Sequence, residues 1–558
     1  MSAASIAAAP AAPSASPWLF GRARDLLLGC GVLYTVAFLA FLAAGPELRA
    51  SQPALLFPLL LTFASMPHYG ATLLRVYERA RDRRSYALFS IWATGGIAAW
   101  FVASTFSPGA GALLVTLYLT WSPWHYTGQN YGIAVMFLRR AGLAIDGPEK
   151  RWLYASYVLS YVFVFLMLHQ AQPAAQNAVA LPAGVYGLPV RALGIPAELN
   201  AWLQPLVLLA YLAALARSWA GLLQRATLAS LAPAACLALT QALWFVVPSA
   251  VRQFGWQTRF EALDWAHHDH YFTWIAGGHA IQYLWITAFT AQRAPGYQGF
   301  LPHYGKALAS SAGIWMIPAI LFGPAALGIR SLDAGLVLLV ASAVNVHHFI
   351  LDGAIWKLRG RLAEILLRGA RDEADAAPRA PWLRRTVWAG CGLALASAFW
   401  VDANGELSRR ALVRSDFVAA EAAEQRLAWI GHDRAEARRI LGRAQLKRGE
   451  LGASRAQFER ALALEPSLAG HALLARAHSR SGNARAAAAE WEAALAFSPN
   501  HPLLHRRAAQ SWLAAGEPAA ALPHIERASA LAAPRDRAAA RELAALRAQL
   551  RRAKPENP

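Results

Sequence analysis

Up to about residue 400 the sequence is a succession of apolar runs of roughly twenty residues, parted by short basic segments. Twenty apolar residues in a helix span the hydrocarbon core of a bilayer, so this feature limits the fold more than any other. Eleven candidate spans follow, at 25–45, 52–74, 86–105, 110–138, 152–169, 201–217, 227–250, 266–291, 306–328, 334–356 and 386–401. Pro123 and the polar stretch WHYTGQN make a kink expected in the fourth. Only 15% of residues are charged and 56% are hydrophobic, which excludes an ordinary soluble enzyme.

Loop charge tests this map. With the N-terminus inside, the inner segments 22–24, 75–85, 139–151, 217–225, 292–306 and 357–385 carry 23 Lys and Arg. The outer loops 46–51, 105–109, 170–200, 251–265 and 329–333 carry 5. That asymmetry sets the orientation and puts everything after Trp400 outside the cytoplasm, in the periplasm if the chain is bacterial. It also accounts for the formal charge of +20. No basic module with stacking aromatics is present, so nucleic acid is not an expected partner. Cys30, Cys236 and Cys391 lie in apolar segments and read as small packing residues. The leader, MSAASIAAAPAAPSASP, lacks the basic-then-apolar order of a cleavable signal.

From about Asp402 the composition shifts to Ala, Arg, Glu and Leu, and a repeat near 33–34 residues sets in. Gly449, Gly482 and Gly516 recur in phase, as do Phe458, Trp491 and Ile525, and Ala461, Ala494 and Ala528. Pro466, Pro499 and Pro534 close the units. LGRAQLKRGELGASRAQFERALALEP resembles a tetratricopeptide repeat, with small residues where two helices touch, a turn glycine, an aromatic and a closing proline. The expected class is therefore all-α: a polytopic bundle followed by a tetratricopeptide-repeat solenoid. The segments are a leader (1–20), a membrane domain (21–402), a helical lead-in (403–434), three repeats (435–534) and a capping helix with its tail (535–558). A short solenoid offers a groove for a protein or peptide partner and carries no chemistry itself.

Chemistry belongs to histidines inside the apolar runs. His68, His125, His279, His347 and His348 fall in four spans. Counted from the inner end of each span, they lie about 7 to 14 residues deep, within roughly 10 Å of one level. Four helices thus carry imidazoles to one layer, the pattern of a metal centre built between helices. Asn345, His348 and Asp352 share a helix face, while His347 points about 100° away. Asp352 is expected to ligate or to orient a histidine, and Gln129, four residues after His125, to orient a ligand or substrate. Gly128 and Gly132 would admit a close helix neighbour. A second group, DWAHHDHYFTW, places His268 on a face with His279; a helix break at Gly277–Gly278 would bring those two together. The competing reading is that a lone intramembrane histidine is a hydrogen-bonded packing residue, as for His169 and His303 at span ends. Arg75, Arg79, Arg81, Arg83 and Arg84 read as inner-side anchors, with anionic headgroups as an alternative ligand.

NVHHF is similar to the paired-histidine element of membrane non-haem iron enzymes, the desaturases and hydroxylases, and single histidines in separate spans resemble bacterial carotene-cleaving dioxygenases. The resemblance implies iron held by His68, His125, His279 and His348, a lipid-like or isoprenoid substrate and dioxygen chemistry. No HxxxH or HxxHH box is present. No flavin or nicotinamide fingerprint appears either, so a separate protein would donate electrons. Another transition metal or a bis-histidine haem would suit the same residues. Two rivals differ in class. One is a non-enzymatic scaffold recruiting partners through its repeats. The other is a polytopic glycosyltransferase, which needs acidic residues in the first outer loop, where Glu47 stands alone.

Overall fold

A computed structural model describes residues 16–43, 60–78, 86–171, 188, 190–255, 271–358, 360–372, 381–531 and 537–553. Among these residues the fold is helical, and the only extended pairing is an isolated bridge between Gln170 and Ile195. The helices are α1 (Val32–Ala43), α2 (Met66–Tyr77), α3 (Thr94–Phe106), α4 (Pro108–Arg140), α5 (Pro148–Leu168), α6 (Ala197–Leu223), α7 (Leu228–Gln241), α8 (Val247–Gln253), α9 (Tyr271–Gln292), α10 (Phe300–Phe322) and α11 (Val337–Ile355). They continue with α12 (Gly360–Arg368), α13 (Pro381–Val413), α14 (Phe417–Ala428), α15 (Ala435–Arg448), α16 (Leu451–Leu464), α17 (Leu468–Arg480), α18 (Ala484–Phe497), α19 (Pro502–Ala514), α20 (Pro518–Leu531) and α21 (Arg537–Ala553).

The chain forms two compact units. One comprises Met1–Pro318 with Leu338–Ala398; the other comprises Ala319–Val337 with Phe399–Pro558.

The first unit is the apolar bundle. Among the described residues, seven helices are long and apolar enough to cross a membrane, or eight with the bent pair Arg22–Gly29 and Val32–Ala40. That does not support the expected eleven. The runs at 52–74, 110–138 and 266–291 are not among the seven, and the first and last of these lie in part outside the described residues. The helices α4 and α9 of the latter two mix Thr, Tyr, Gln and His into the apolar sequence. The first run is bent by 59° at Gly31, whose φ of 79° suits glycine. A side chain there would also collide with Thr240. The fourth run is one continuous 33-residue helix through Pro123.

Burial ranks the helices. The apolar window of α11 is 72% buried, so this helix lies at the centre of the bundle. Leu88–Phe106 and α6 are each 28% buried over theirs. Their outward faces show Trp92, Trp202, Leu206 and Leu209 largely exposed. Large apolar faces turned outward are costly in water and natural in lipid. At one end of the bundle, Arg140 donates to the carbonyls of Ser16, Pro17, Trp18 and Leu366, and buried Asp25 accepts from Leu19 N, Phe20 N and Trp285 Nε1.

The second unit is a tetratricopeptide-like solenoid of antiparallel helix pairs: α15 with α16, α17 with α18, and α19 with α20. Each pair turns at a left-handed glycine: Gly449 (φ 83°), Gly482 (φ 74°) and Gly516 (φ 77°). Phe458, Trp491 and Ile525 are buried, as are Ala461, Ala494 and Ala528. Leu543, Leu546 and Leu550 of α21 cover Ile525 and Ala528, so α21 caps the open end. Pro534 lies outside the described residues. The lead-in is fixed by buried carboxylates. Glu424 accepts from Ser408 Oγ (2.6 Å) and Arg434 Nη2 (2.6 Å); Asp433 pairs with Arg438 and Arg460. The segment between α10 and α11 belongs to this unit as well: Asp333 Oδ2 accepts from Ala435 N at 2.7 Å, and Ser331 Oγ bonds Leu464 O. Nothing in that segment's sequence announced the role.

Candidate metal centre

The centre is assembled from α2, α4, α9 and α11 of the bundle. α2 approaches α10 through Gly70, where any Cβ would fall on Ala307 O. Gly278 of α9 likewise faces the rings of Tyr34 and Trp244. The two glycines anticipated for close approach, Gly128 and Gly132, have no atom within 4 Å of a Cβ position. α9 runs as one helix through Gly277 and Gly278, so no break occurs there. His268 and the rest of DWAHHDH lie outside the described residues, as do Arg79, Arg81, Arg83, Arg84 and Glu47.

Four imidazoles meet. Ring centroids are 4.8 Å apart for His68 and His348, 5.3 Å for His68 and His279, 4.9 Å for His125 and His279, and 5.0 Å for His125 and His348. His68, His279, His348 and Asp352 are buried, and the His125 side chain is 9% exposed. Two triads, His68–His279–His348 and His125–His348–Asp352, each bring one ligand atom per residue within 4.8 Å of the others. Two ligands opposed across an ion at bonds of about 2.1 Å stand about 4.2 Å apart, so each triad is within about 0.6 Å of the span one metal needs.

The hydrogen bonds indicate which nitrogens are free. Nδ1 of His68 bonds the carbonyl of Ser65, which only accepts, so that nitrogen carries the proton. Nδ1 of His348 is 2.9 Å from Thr72 Oγ1. Nε2 of His348, Nε2 of His125 and both ring nitrogens of His279 are buried with no hydrogen-bond partner among the described residues. Nε2 of His125 and of His348 lie 3.7 and 3.4 Å from Asp352 Oδ2. Buried polar atoms are rarely left unpaired, and a group of them on convergent rings points to an ion. The two triads share His348, whose one free nitrogen can bind one ion only.

Asp352 is held on its other oxygen. Its Oδ1 accepts from Tyr283 Oη at 2.7 Å, and Thr72 Oγ1 lies 3.2 Å from the same oxygen. Trp356 Nε1 donates to Tyr283 Oη at 3.1 Å, and the Arg75 guanidinium lies 4.8 Å over the Trp356 ring. Asn345 accepts from Tyr69 Oη at 2.8 Å and braces α2 against α11.

Two anticipated residues stand elsewhere. His347 faces Thr94 Oγ1 (3.0 Å) and Tyr77 Oη (3.3 Å), one helical residue round from the cluster; it belongs to neither triad. Its adjacency in sequence misleads because neighbouring residues on a helix diverge by about 100°. Gln129 does not orient a ligand ring directly. Its Nε2 donates to the His279 backbone carbonyl (3.1 Å) and Gln282 Oε1 (3.0 Å), which ties α4 to α9.

Thr72, Tyr283 and Trp356 were not singled out for hydrogen bonding from the sequence. A signal was present. Each cluster histidine is followed four residues on by a polar side chain: His68 by Thr72, His125 by Gln129, His279 by Tyr283 and His348 by Asp352. Four residues is about one helical turn, so each partner lies on its histidine's face.

These observations define an all-helical protein with a histidine-lined bundle and a tetratricopeptide-like solenoid. No protein-family model matches the chain, and no curated protein matches it. Among solved structures, the crystal structure of the APC/C hetero-tetramer Cut9–Hcn1 aligns over 87% of this chain and 98% of that chain. The identity is 13% and the TM-score 0.21, too low to bear on fold or function.

Proposed function

We propose that the bundle is embedded in a membrane and binds one transition-metal ion, iron foremost, through His68, His125, His279, His348 and Asp352. The observation that carries this reading is the convergence of unpartnered, buried imidazole nitrogens beside a carboxylate. Imidazole-rich sites with a carboxylate suit iron, copper or zinc. Neutral imidazoles add no buried negative charge, and Asp352 offsets part of the ion's charge. The four rings are packed edge to face at about 5 Å, which favours an ion over a haem plane between them.

Bound iron would supply dioxygen activation. The chain's own residues do the remainder. Thr72 and Tyr283 hold His348 and Asp352 in register, and the apolar bundle excludes water. A lipid-like or isoprenoid substrate would enter from the bilayer, and a separate protein would supply electrons. Outward apolar faces and loop charge support the membrane setting, with the N-terminus cytoplasmic and the solenoid outside. The solenoid would hold a protein partner. A second reading, a scaffold acting through that solenoid alone, accounts for the repeats and leaves the histidine cluster without a role.

The test is oxygen incorporation. Iron-loaded protein in nanodiscs of extracted host lipid, given a chemical reductant and labelled dioxygen, should mark a lipid product by mass spectrometry. His348→Ala should abolish the label. Equal labelling by the wild type and His348→Ala, or none by either, would contradict the oxidative reading.

A further inference from the structure

We infer that Thr72 and Tyr283 are positioning residues that fix the His348 tautomer and so present its Nε2, together with Asp352 Oδ2, to the ion. The inference rests on the metal reading above and deepens it. It comes from counting hydrogens over four short contacts: His348 Nδ1 to Thr72 Oγ1 (2.9 Å), Thr72 Oγ1 to Tyr283 Oη (2.6 Å), Tyr283 Oη to Asp352 Oδ1 (2.7 Å) and Trp356 Nε1 to Tyr283 Oη (3.1 Å). Each contact needs one hydrogen.

An indole N–H can only donate, so Tyr283 accepts from Trp356. A ligating Asp352 is a carboxylate and only accepts. Its 2.7 Å contact therefore takes the single Tyr283 hydrogen. The 2.6 Å contact can then take only the Thr72 hydrogen. Whether that hydrogen goes to Tyr283 at 2.6 Å or to Asp352 Oδ1 at 3.2 Å, Thr72 has none left for His348, so Nδ1 carries its own and donates to Thr72 Oγ1. The reverse arrangement leaves two oxygens 2.7 Å apart with no hydrogen between them. One direction alone satisfies the set, and it leaves Nε2 as the lone-pair nitrogen.

The geometry closes on itself. The chain of donors starts on His348 and ends on Asp352 one turn later, and Nε2 and Oδ2 at its two ends stand 3.4 Å apart. Partners that orient a metal-binding histidine in this way typically change affinity 10–100-fold when removed. No residue in the set is a surface group: Thr72, Tyr283, His348 and Asp352 are all buried.

The experiment uses the full chain in detergent, with Co(II) as the probe and its ligand-field absorbance as the readout. Thr72→Val keeps the shape and removes the hydroxyl. It should bind Co(II) about 10–100-fold more weakly than the wild type, while Thr72→Ser restores binding to within about threefold. Tyr283→Phe should fall between them. In parallel, nitrogen-15 NMR of labelled histidine in the Zn(II)-loaded protein, assigned with His348→Gln, reads the tautomer with Asp352 held as a carboxylate. The wild type and Thr72→Ser should show the Nδ1–H form of His348, and Thr72→Val a mixture. Wild-type affinity in Thr72→Val, or an Nε2–H tautomer of His348 in the wild type, would overturn the inference. A wild type that binds neither Co(II) nor Zn(II) would overturn the metal reading and this inference with it, whereas metal binding by the wild type with undiminished affinity in Thr72→Val would overturn the inference alone.

Discussion

At the scale of single residues, the site is a problem of unpaired polarity. Imidazole nitrogens buried in an apolar bundle cost free energy unless something bonds them. Thr72 and Ser65 bond Nδ1 of His348 and of His68, and each triad histidine brings one ring nitrogen within 4.8 Å of the other ligand atoms. His68, His125, His279, His348 and Asp352 were legible in the sequence because ionisable residues stand out in apolar runs. Thr72 and Tyr283 were not, because hydroxyls are common in such helices and only their i+4 spacing to a histidine marks them. Gly70 was missed for another reason: nothing local reveals which glycine meets a neighbouring backbone. Gly70→Ala sets a methyl on Ala307 O, which cannot retreat without moving α10. We expect a loss of about 1–3 kcal/mol and a lower thermal midpoint in detergent. An unchanged midpoint would mean that α2 and α10 do not approach as described.

At the scale of elements, hydropathy and function are separate signals. The helices α4 and α9, which carry His125 and His279, are less apolar than the peripheral ones because Gln, Tyr and Thr accompany their histidines, while α11, which carries His348, is both apolar and central. Hydropathy therefore marks a helix as apolar without marking it as functional. In the solenoid a repeated glycine, aromatic and alanine made the helix pairs legible, because each repeat solves the same packing problem. Its stability should fall in acid. Burial holds His432 and His505 below the ordinary histidine range, so in that range the unfolded chain binds more protons than the folded one. Folding stability then drops as pH falls below about 6.5. Urea unfolding of the full chain, followed by the fluorescence of a probe in the solenoid, should show an earlier solenoid transition at pH 5 than at pH 7.5. Substituting both histidines with Gln should flatten the difference; a midpoint independent of pH would contradict this.

At the scale of the whole molecule, the sequence's change of composition near residue 400 coincides with a change of architecture, and the second unit begins at Phe399. What composition hid is that Ala319–Val337, lying between two apolar helices, also belongs to that second unit. This segment is held in its unit through polar contacts such as Asp333 with Ala435, far apart in sequence, and leaves no periodicity to read. The proposed orientation puts the solenoid outside the cytoplasm. A cysteine replacing exposed Ser481 should react with a membrane-impermeant maleimide on intact cells, in a background where Cys30, Cys236 and Cys391 are replaced by Ala. Labelling only after lysis would reverse the orientation.

The central claim is that four helices close around one metal ion. Elemental mass spectrometry of the purified full chain, prepared with iron, copper and zinc available, tests it most directly. The account predicts about one metal atom per chain in the wild type and in His347→Ala, and loss of it in His348→Ala and His125→Ala. Protein without stoichiometric metal, or metal retained in all three variants, would contradict it.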